Sequence, residues 1–397
     1  MNFRYILFLI LGLDALVLLF KTSELSISYA ESLVLYGDTS FLQLIIQFSI
    51  YIFGNNDFAL RLPMILFHLL SILLLYSISE KYIKQEKNRI ILILIFIFLP
   101  GVISSAIVVN NAGVVIFGLL FFIYTYQKYD YKYSYFLLII FTLIDNSFSY
   151  LFFSLFLFAI YTRDYKFAVL NICLLLLSIY LFGININGSP SGHFLDTIGV
   201  YSAIFTPIIF IYMFYVLYRR MLIKNIDIIW FISSSVLMLS LLLSFRQRIY
   251  VEDFAPYLII SLPLIAQTFY SSYRVRLRIF RTNYRAVFIL TLLFLFINAF
   301  VVLFNKELYR FLDNPKKHFV YNMHIAKELA LELQNKDIAC ISTNKKMSNR
   351  LYFYGIKHCK KYQLNELTIN TPLVSSVTVS YKNQIVYRAN VTNINNK

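Results

Sequence analysis

The stretch FGNNDFALRLP (residues 53–63) decides how this chain reads. Gly54 and the asparagines at 55 and 56 are turn residues. From Leu60 a largely apolar run, broken by Arg61 and His68, continues to Ser79. On the other side lies FLQLIIQFSIYIF (41–53), apolar except for a polar side formed by Gln43 and Gln47. The stretch is therefore expected to join an amphipathic segment lying in a membrane interface to a helix that crosses the membrane.

Outward from this point the whole chain is greasy. Of 397 residues, 59% are hydrophobic and only 14% are charged, where a soluble domain carries roughly 25% charged residues. Mean hydropathy is +0.68. Eleven runs are expected to span: 3–20, 60–79, 90–109, 112–127, 134–146, 147–162, 166–183, 200–218, 226–244, 255–272 and 286–304. VVNNAG (108–113) and IDNS (144–147) read as tight turns. The first run has no small-residue cleavage site after it and is read as a retained helix.

The net charge of +16 does not point to nucleic acid, because the cations fall in short loops on alternate sides. With the N-terminus inside, one set of loops holds Arg4, the lysines at 81, 84 and 87, Arg89, the pair Arg219 and Arg220, and the arginines from 274 to 285. The other set holds few cations. That asymmetry orients a polytopic membrane protein, with the C-terminus outside. Arg246 and Arg248 break the rule on the outer side. Snorkelling is one reading. The other is a guanidinium pair for an anionic head group. The outer loops also collect carboxylates, among them Glu24, Glu31, Asp57 and Asp145.

Domain organisation follows. Residues 1–304 are expected to form the transmembrane domain, with a first outer loop at 21–59, and 305–397 a small outer α/β domain. In that loop, 24–36 is expected to be one helix with Glu24, Ser28 and Glu31 on one face. In the tail, 324–334 reads as a helix, 337–342 as a strand, RLYFYGI (350–356) as a short helix, 358–363 as a strand and 375–391 as a hairpin about Lys382 and Asn383. Cys340 and Cys359 fall on neighbouring strands outside the cytosol, where a disulfide can form. His68 reads as a packing or hydrogen-bonded histidine with no partner spacing for a metal, and Cys173 as inert.

The order YAESLVLYGD (29–38), amphipathic helix, FGNNDFALRLP and second span resembles the GT-C membrane glycosyltransferases of the protein-mannosyltransferase and lipid A aminoarabinose-transferase type. Helix number, orientation and the outer tail extend the resemblance through most of the chain, while motif agreement is confined to 22–63. The resemblance implies an all-α polytopic fold with a small C-terminal α/β domain. It implies transfer of a sugar from a polyprenyl-phosphate donor, at the outer face of a bacterial inner membrane, to a lipid, glycan or protein acceptor. Membrane lipids are the other expected partners, and no metal or cofactor is called for.

The family has an Asp-Glu pair where this chain has Ser23-Glu24, and an aspartate where it has Asn110-Asn111. Glu24, as the surviving acid, is the expected general base, with Asp145 as a second carboxylate. Arg246, Arg248 and Tyr250, in RQRIYVEDFAPY (246–257), are the expected phosphate contacts. Glu31 and Arg61 are further candidates, Arg61 pairing with Asp57 or Glu24. Two other readings stay open: an inactive binding or assembly subunit of the same fold, and a transporter of lipid-linked sugars. The loop 184–199 is expected to shape specificity.

Overall fold

The computed structural model describes residues 3–129, 131–183, 192–312, 314–367, 376–382 and 384–393. In chain order the helices are α1 Phe3–Glu24, α2 Tyr29–Tyr36, α3 Phe41–Phe53, α4 Asp57–Ser79, α5 Glu86–Phe98, α6 Pro100–Ile107, α7 Asn111–Lys128, α8 Tyr131–Ile144 and α9 Ser149–Thr162. They continue with α10 Tyr165–Phe182, α11 Phe194–Phe205, α12 Pro207–Leu222, α13 Ile228–Ser244, α14 Val251–Ile259, α15 Leu262–Val275, α16 Arg278–Leu303, α17 Ala326–Gln334 and α18 Lys345–Phe353. Strands β1 Tyr362–Glu366, β2 Ser376–Tyr381 and β3 Gln384–Asn393 close the chain. Among the described residues, five helices are long and apolar enough to cross a membrane, or up to eight spans if each bent pair counts as one. The chain is thus a multi-pass membrane protein with a small α/β element, as the sequence implies.

The sequence-based spans need correction in detail. The expected span 200–218 is two helices bent by 104°. Thr206 at the corner has a φ of 66°, and Pro207 opens α12; proline restricts the residue before it away from helical geometry. The run 90–109 is likewise bent by 63°, at Leu99 before Pro100. The two expected tight turns are present. Asn110 caps α7 through the Gly113 amide, and Asp145 caps a short 3-10 turn through the Ser147 amide.

The chain divides into two compact units. The first comprises Met1–Ala15, Met64–Ala106 and Asn110–Ala299. Its core is aromatic and aliphatic, with Phe122, Phe148 and Phe152 fully buried and the Phe141 and Phe148 rings 4.5 Å apart. Gly118 permits this packing, since a Cβ there would stand 2.7 Å from the Phe148 ring. His68 is a hydrogen-bonded histidine: it is buried, and its Nε2 lies 2.8 Å from Oδ2 of the half-buried Asp14, so two residues that would be costly alone in hydrocarbon satisfy each other.

The second unit comprises Leu16–Pro63, Ile107–Val109 and Phe300–Lys397. Its antiparallel sheet has the order β1-β3-β2. Register runs from Tyr362 opposite Asn393 to Glu366 opposite Ala389, and from Val377 opposite Ala389 to Tyr381 opposite Gln384, with a bulge at Val379/Ser380. Helices α17 and α18 pack with it around Leu329, Leu333, Leu351, Val379 and Ala389. The hairpin and α17 fall where expected, whereas the helix expected at 350–356 starts earlier, at Lys345, and ends at Phe353, and the strand expected at 358–363 lies later, at Tyr362–Glu366. The expected strand 337–342 is reduced to isolated parallel bridges at Cys340 and Ser342, following Asp337 with its φ of 55°. Cys340 and Cys359 are disulfide-bonded, with Cα atoms 5.4 Å apart.

Candidate functional site

The second unit builds its site around the segment that links α1 to α2. Ser28 caps α2 by accepting from the Glu31 amide, and the Glu31 carboxylate accepts from the Ser28 amide in return. This is a capping box, so the helix expected over 24–36 is broken: Glu24 ends α1 and Glu31 lies in the first turn of α2. Glu31 is fully buried and faces Arg61, also fully buried.

Every Arg61 donor is used. Its Nε donates to Glu31 Oε1 at 3.0 Å and its Nη2 to Glu31 Oε2 at 3.0 Å. The Nη1 donates to the Thr22 and Leu25 carbonyls at 3.1 and 2.7 Å, and Nη2 also to the Ser26 carbonyl at 3.0 Å. Glu31 Oε1 accepts in addition from the Val109 amide at 3.0 Å. A bidentate fork has satisfied a loop that carries three carbonyls away from water. The partner of Arg61 is thus Glu31, not the expected Asp57 or Glu24.

The rest of the 53–63 stretch works the same way. Gly54, at a φ of 82°, ends α3, a conformation glycine takes without strain. The Asn55 amide donates to the Phe353 carbonyl at 2.7 Å. Asn56 caps α4 by accepting from the Ala59 amide at 2.8 Å. Pro63, inside α4, has no N–H for the Ala59 carbonyl four residues back. The Ser49 hydroxyl, from α3, supplies that bond at 2.6 Å.

Asp57 accepts from the Tyr354 hydroxyl at 2.5 Å and pairs with Lys327 at 2.9 Å. The Ile27 amide donates to the same Tyr354 oxygen at 2.9 Å. Burial, together with the Asp57 carboxylate, pushes the Tyr354 phenol well above its ordinary range. Arg350 Nε donates to the Ile27 carbonyl at 3.0 Å, and the Ser26 amide to the Met323 carbonyl at 2.8 Å.

Beside this scaffold lies the group with chemistry to offer. Glu24 is partly exposed and pairs with Lys21 at 2.6 Å. Lys327 donates to the Ser23 carbonyl at 2.8 Å. Lys306 is partly buried, which holds its ammonium below the ordinary lysine range against the opposing pull of the Glu24 and Glu328 carboxylates. Glu24 offers a carboxylate that can accept a proton, and the ammoniums of Lys21, Lys306 and Lys327 gathered about the 23–24 segment can hold anionic oxygens. Ser23 contributes no acid, and its hydroxyl turns back to the Phe20 carbonyl at 2.7 Å. Next to the lysines, His324 is buried with Nδ1 3.0 Å from the Tyr309 hydroxyl. Burial, and after it the charges of Lys306, His318 and Lys21, push His324 down to about 3.

Sequence reasoning singles out Glu24, and the structure adds Lys306, Lys327, Tyr354 and Arg350, which that reasoning does not consider. The only local signal was Lys21, one helical turn before Glu24.

The remaining candidates lie in the first unit. Asp145 Oδ2 accepts from the Asn111 amide at 2.5 Å and its Oδ1 from the Ser147 amide at 2.8 Å. The Ser147 hydroxyl passes on to Asp253 at 2.9 Å. Arg246, Arg248 and Tyr250 are exposed on the loop before α14, and among the described residues neither arginine has an ion-pair partner. Of the loop expected to shape specificity, residues 184–191 lie outside the described residues.

No family model matches the chain, and no curated protein matches it in sequence. Among solved structures it is similar to the crystal structure of ArnT from Cupriavidus metallidurans in the apo state, with a TM-score of 0.57, 12% identity and 96% of each chain covered. At that identity the likeness is one of fold. The chain therefore shares an ArnT-like fold over nearly its whole length.

Proposed function

We propose that this chain is a membrane glycosyltransferase that uses a polyprenyl-phosphate sugar at the outer face of a bacterial inner membrane. The observation that carries the proposal is the Glu24 carboxylate paired with Lys21 and acting on Lys306, with Lys327 held on the adjacent Ser23 carbonyl, in a chain with an ArnT-like fold. The likeness of fold is an analogy; the cluster is the chemical support.

In this reading Glu24 takes the proton from an acceptor hydroxyl or amine. The acceptor atom bonds to the anomeric carbon as the carbon–oxygen bond to phosphate breaks. Polyprenyl phosphate leaves with the bonding electrons, and the lysines stabilise its growing charge. Asp145 is the second carboxylate of the proposal. Arg246, Arg248 and Tyr250 are the exposed candidates of the first unit for an anionic group. Glu31 and Arg61 act on the reaction by fixing the 22–28 segment.

A second reading, an inactive subunit that binds the lipid-linked sugar, is favoured by Ser23, whose hydroxyl is spent on Phe20. The test is sugar transfer by purified protein in nanodiscs from a panel of labelled polyprenyl-phosphate sugars. Glu24→Gln is expected to lower kcat by about 10²–10⁴-fold with donor binding retained. Lys306→Met is expected to weaken transfer roughly 10–100-fold, the worth of a charge-assisted bond. Unchanged turnover in Glu24→Gln moves the base to Asp145. Saturable donor binding without turnover in the unmodified protein supports the second reading.

A further inference from the structure

The α15–α16 connection reads RVRLRIFR (274–281). Val275, Leu277, Ile279 and Phe280 are 85%, 70%, 81% and 55% exposed. Water disfavours such a display beside four arginines. A layer of lipid head groups accommodates it, because the apolar chains enter the acyl region while guanidiniums stay with the phosphates.

An apolar cavity of about 150 Å³ lies between α5, α12, α15 and α16. Its walls include Leu92, Ile208, Ala266, Phe288 and Leu292, and Tyr270 and Tyr284 line it toward the connection. The rest of α16 offers little cover, since Leu295 and Ala299 are its buried residues. The arginines gather at the Tyr284 end. The Arg276 guanidinium lies over the Tyr284 ring at 4.3 Å. Arg285 donates to the Tyr273 hydroxyl at 2.9 Å, and Arg219 to the Ser272 hydroxyl at 2.9 Å. Arg281 caps α15 through the Arg274 and Arg276 carbonyls. Among the described residues none of these four arginines pairs with a carboxylate, so the cluster lacks a counter-charge.

We propose that the cavity holds one acyl chain of an anionic glycerophospholipid whose phosphate is bound by Arg276 and Arg285. Charge sets the head group, and the apolar walls set the chain. The site uses none of the residues assigned to sugar transfer and stands whether or not that assignment does.

The full-length protein, purified in detergent, is incubated with phosphatidylglycerol or phosphatidylethanolamine and examined by native mass spectrometry. Retention of phosphatidylglycerol over phosphatidylethanolamine is expected. The exposed double variant Arg276→Ala/Arg285→Ala is expected to hold phosphatidylglycerol roughly 30-fold more weakly. Ala266→Phe, which fills the cavity, is expected to lose it with the arginines intact. Equal retention of the two lipids, or undiminished retention in the arginine double variant, overturns the proposal. Undiminished retention in Ala266→Phe does the same. If Ala266→Phe fails to fold, the arginine variant decides.

Discussion

At the scale of single residues, Arg61 and Glu31 define what the first loop can be. A buried ion pair stripped of one partner costs about 3–5 kcal/mol, so Glu31→Gln should lower the detergent-solubilised protein's stability by about that amount in thermal unfolding. Replacing both charges, as in Glu31→Leu/Arg61→Met, often restores stability in proteins. Here it should not, because the carbonyls of Thr22, Leu25 and Ser26 would lose their donors as well. A double variant as stable as the unmodified protein would show that the carbonyl bonds contribute little. His324 supplies a pH dependence. Its folded value of about 3 lies below its ordinary value, so an unfolded chain binds the proton first as pH falls. Stability should therefore decline from about pH 6.5 toward about 3, and His324→Phe should flatten that slope in acid titrations. At this scale the sequence was half legible. The Ser28-to-Glu31 spacing is a capping-box signal, yet a continuous face drawn from Glu24 hid it. The site cations at 306 and 327 carry no local mark at all, since their relation to Glu24 exists only after folding.

Elements were easier to read than their ends. Apolar runs and the turn residues at 110 and 145 marked most helices, because hydrocarbon length and capping chemistry are local properties. The bends before Pro100 and Pro207 were missed because a span-length window averages across them, although proline marked both. Pro63 raises the opposite question, since α4 continues through it. Ser49 answers that by holding the Ala59 carbonyl. Ser49→Ala should then destabilise the protein by about 1–3 kcal/mol, the cost of a buried unsatisfied acceptor. Adding Pro63→Ala should recover most of the loss, because an alanine at 63 restores the N–H. Thermal unfolding of the single and double variants measures this, and independent additive losses would show that Ser49 acts elsewhere.

For the whole molecule, hydropathy and charge asymmetry were enough to indicate a polytopic fold with an α/β tail, and an ArnT-like structure shares that fold at 12% identity. Fold survives such divergence because apolar patterning tolerates substitution, whereas a site depends on particular atoms. The Cys340–Cys359 bond allows the tail's side of the membrane to be tested. With the tail outside, alkylation of unreduced whole cells should leave both cysteines unlabelled and reduction should expose them. Cys340→Ser should cost about 3 kcal/mol for a loop of this length. Labelling of both without reductant would place the tail in the cytosol. The bond from the Ile27 amide to Tyr354 spans 327 positions of sequence and bears on biosynthesis. At roughly 5–20 residues per second, the ribosome delivers Tyr354 on the order of tens of seconds after Ile27. Through most of that interval the newly inserted first loop lacks all of its partners from the tail, the earliest of which are Met323 and Lys327, so a nascent chain stalled before residue 320 should be open to protease between α1 and α2, and resistance should arise only as the last segment is added.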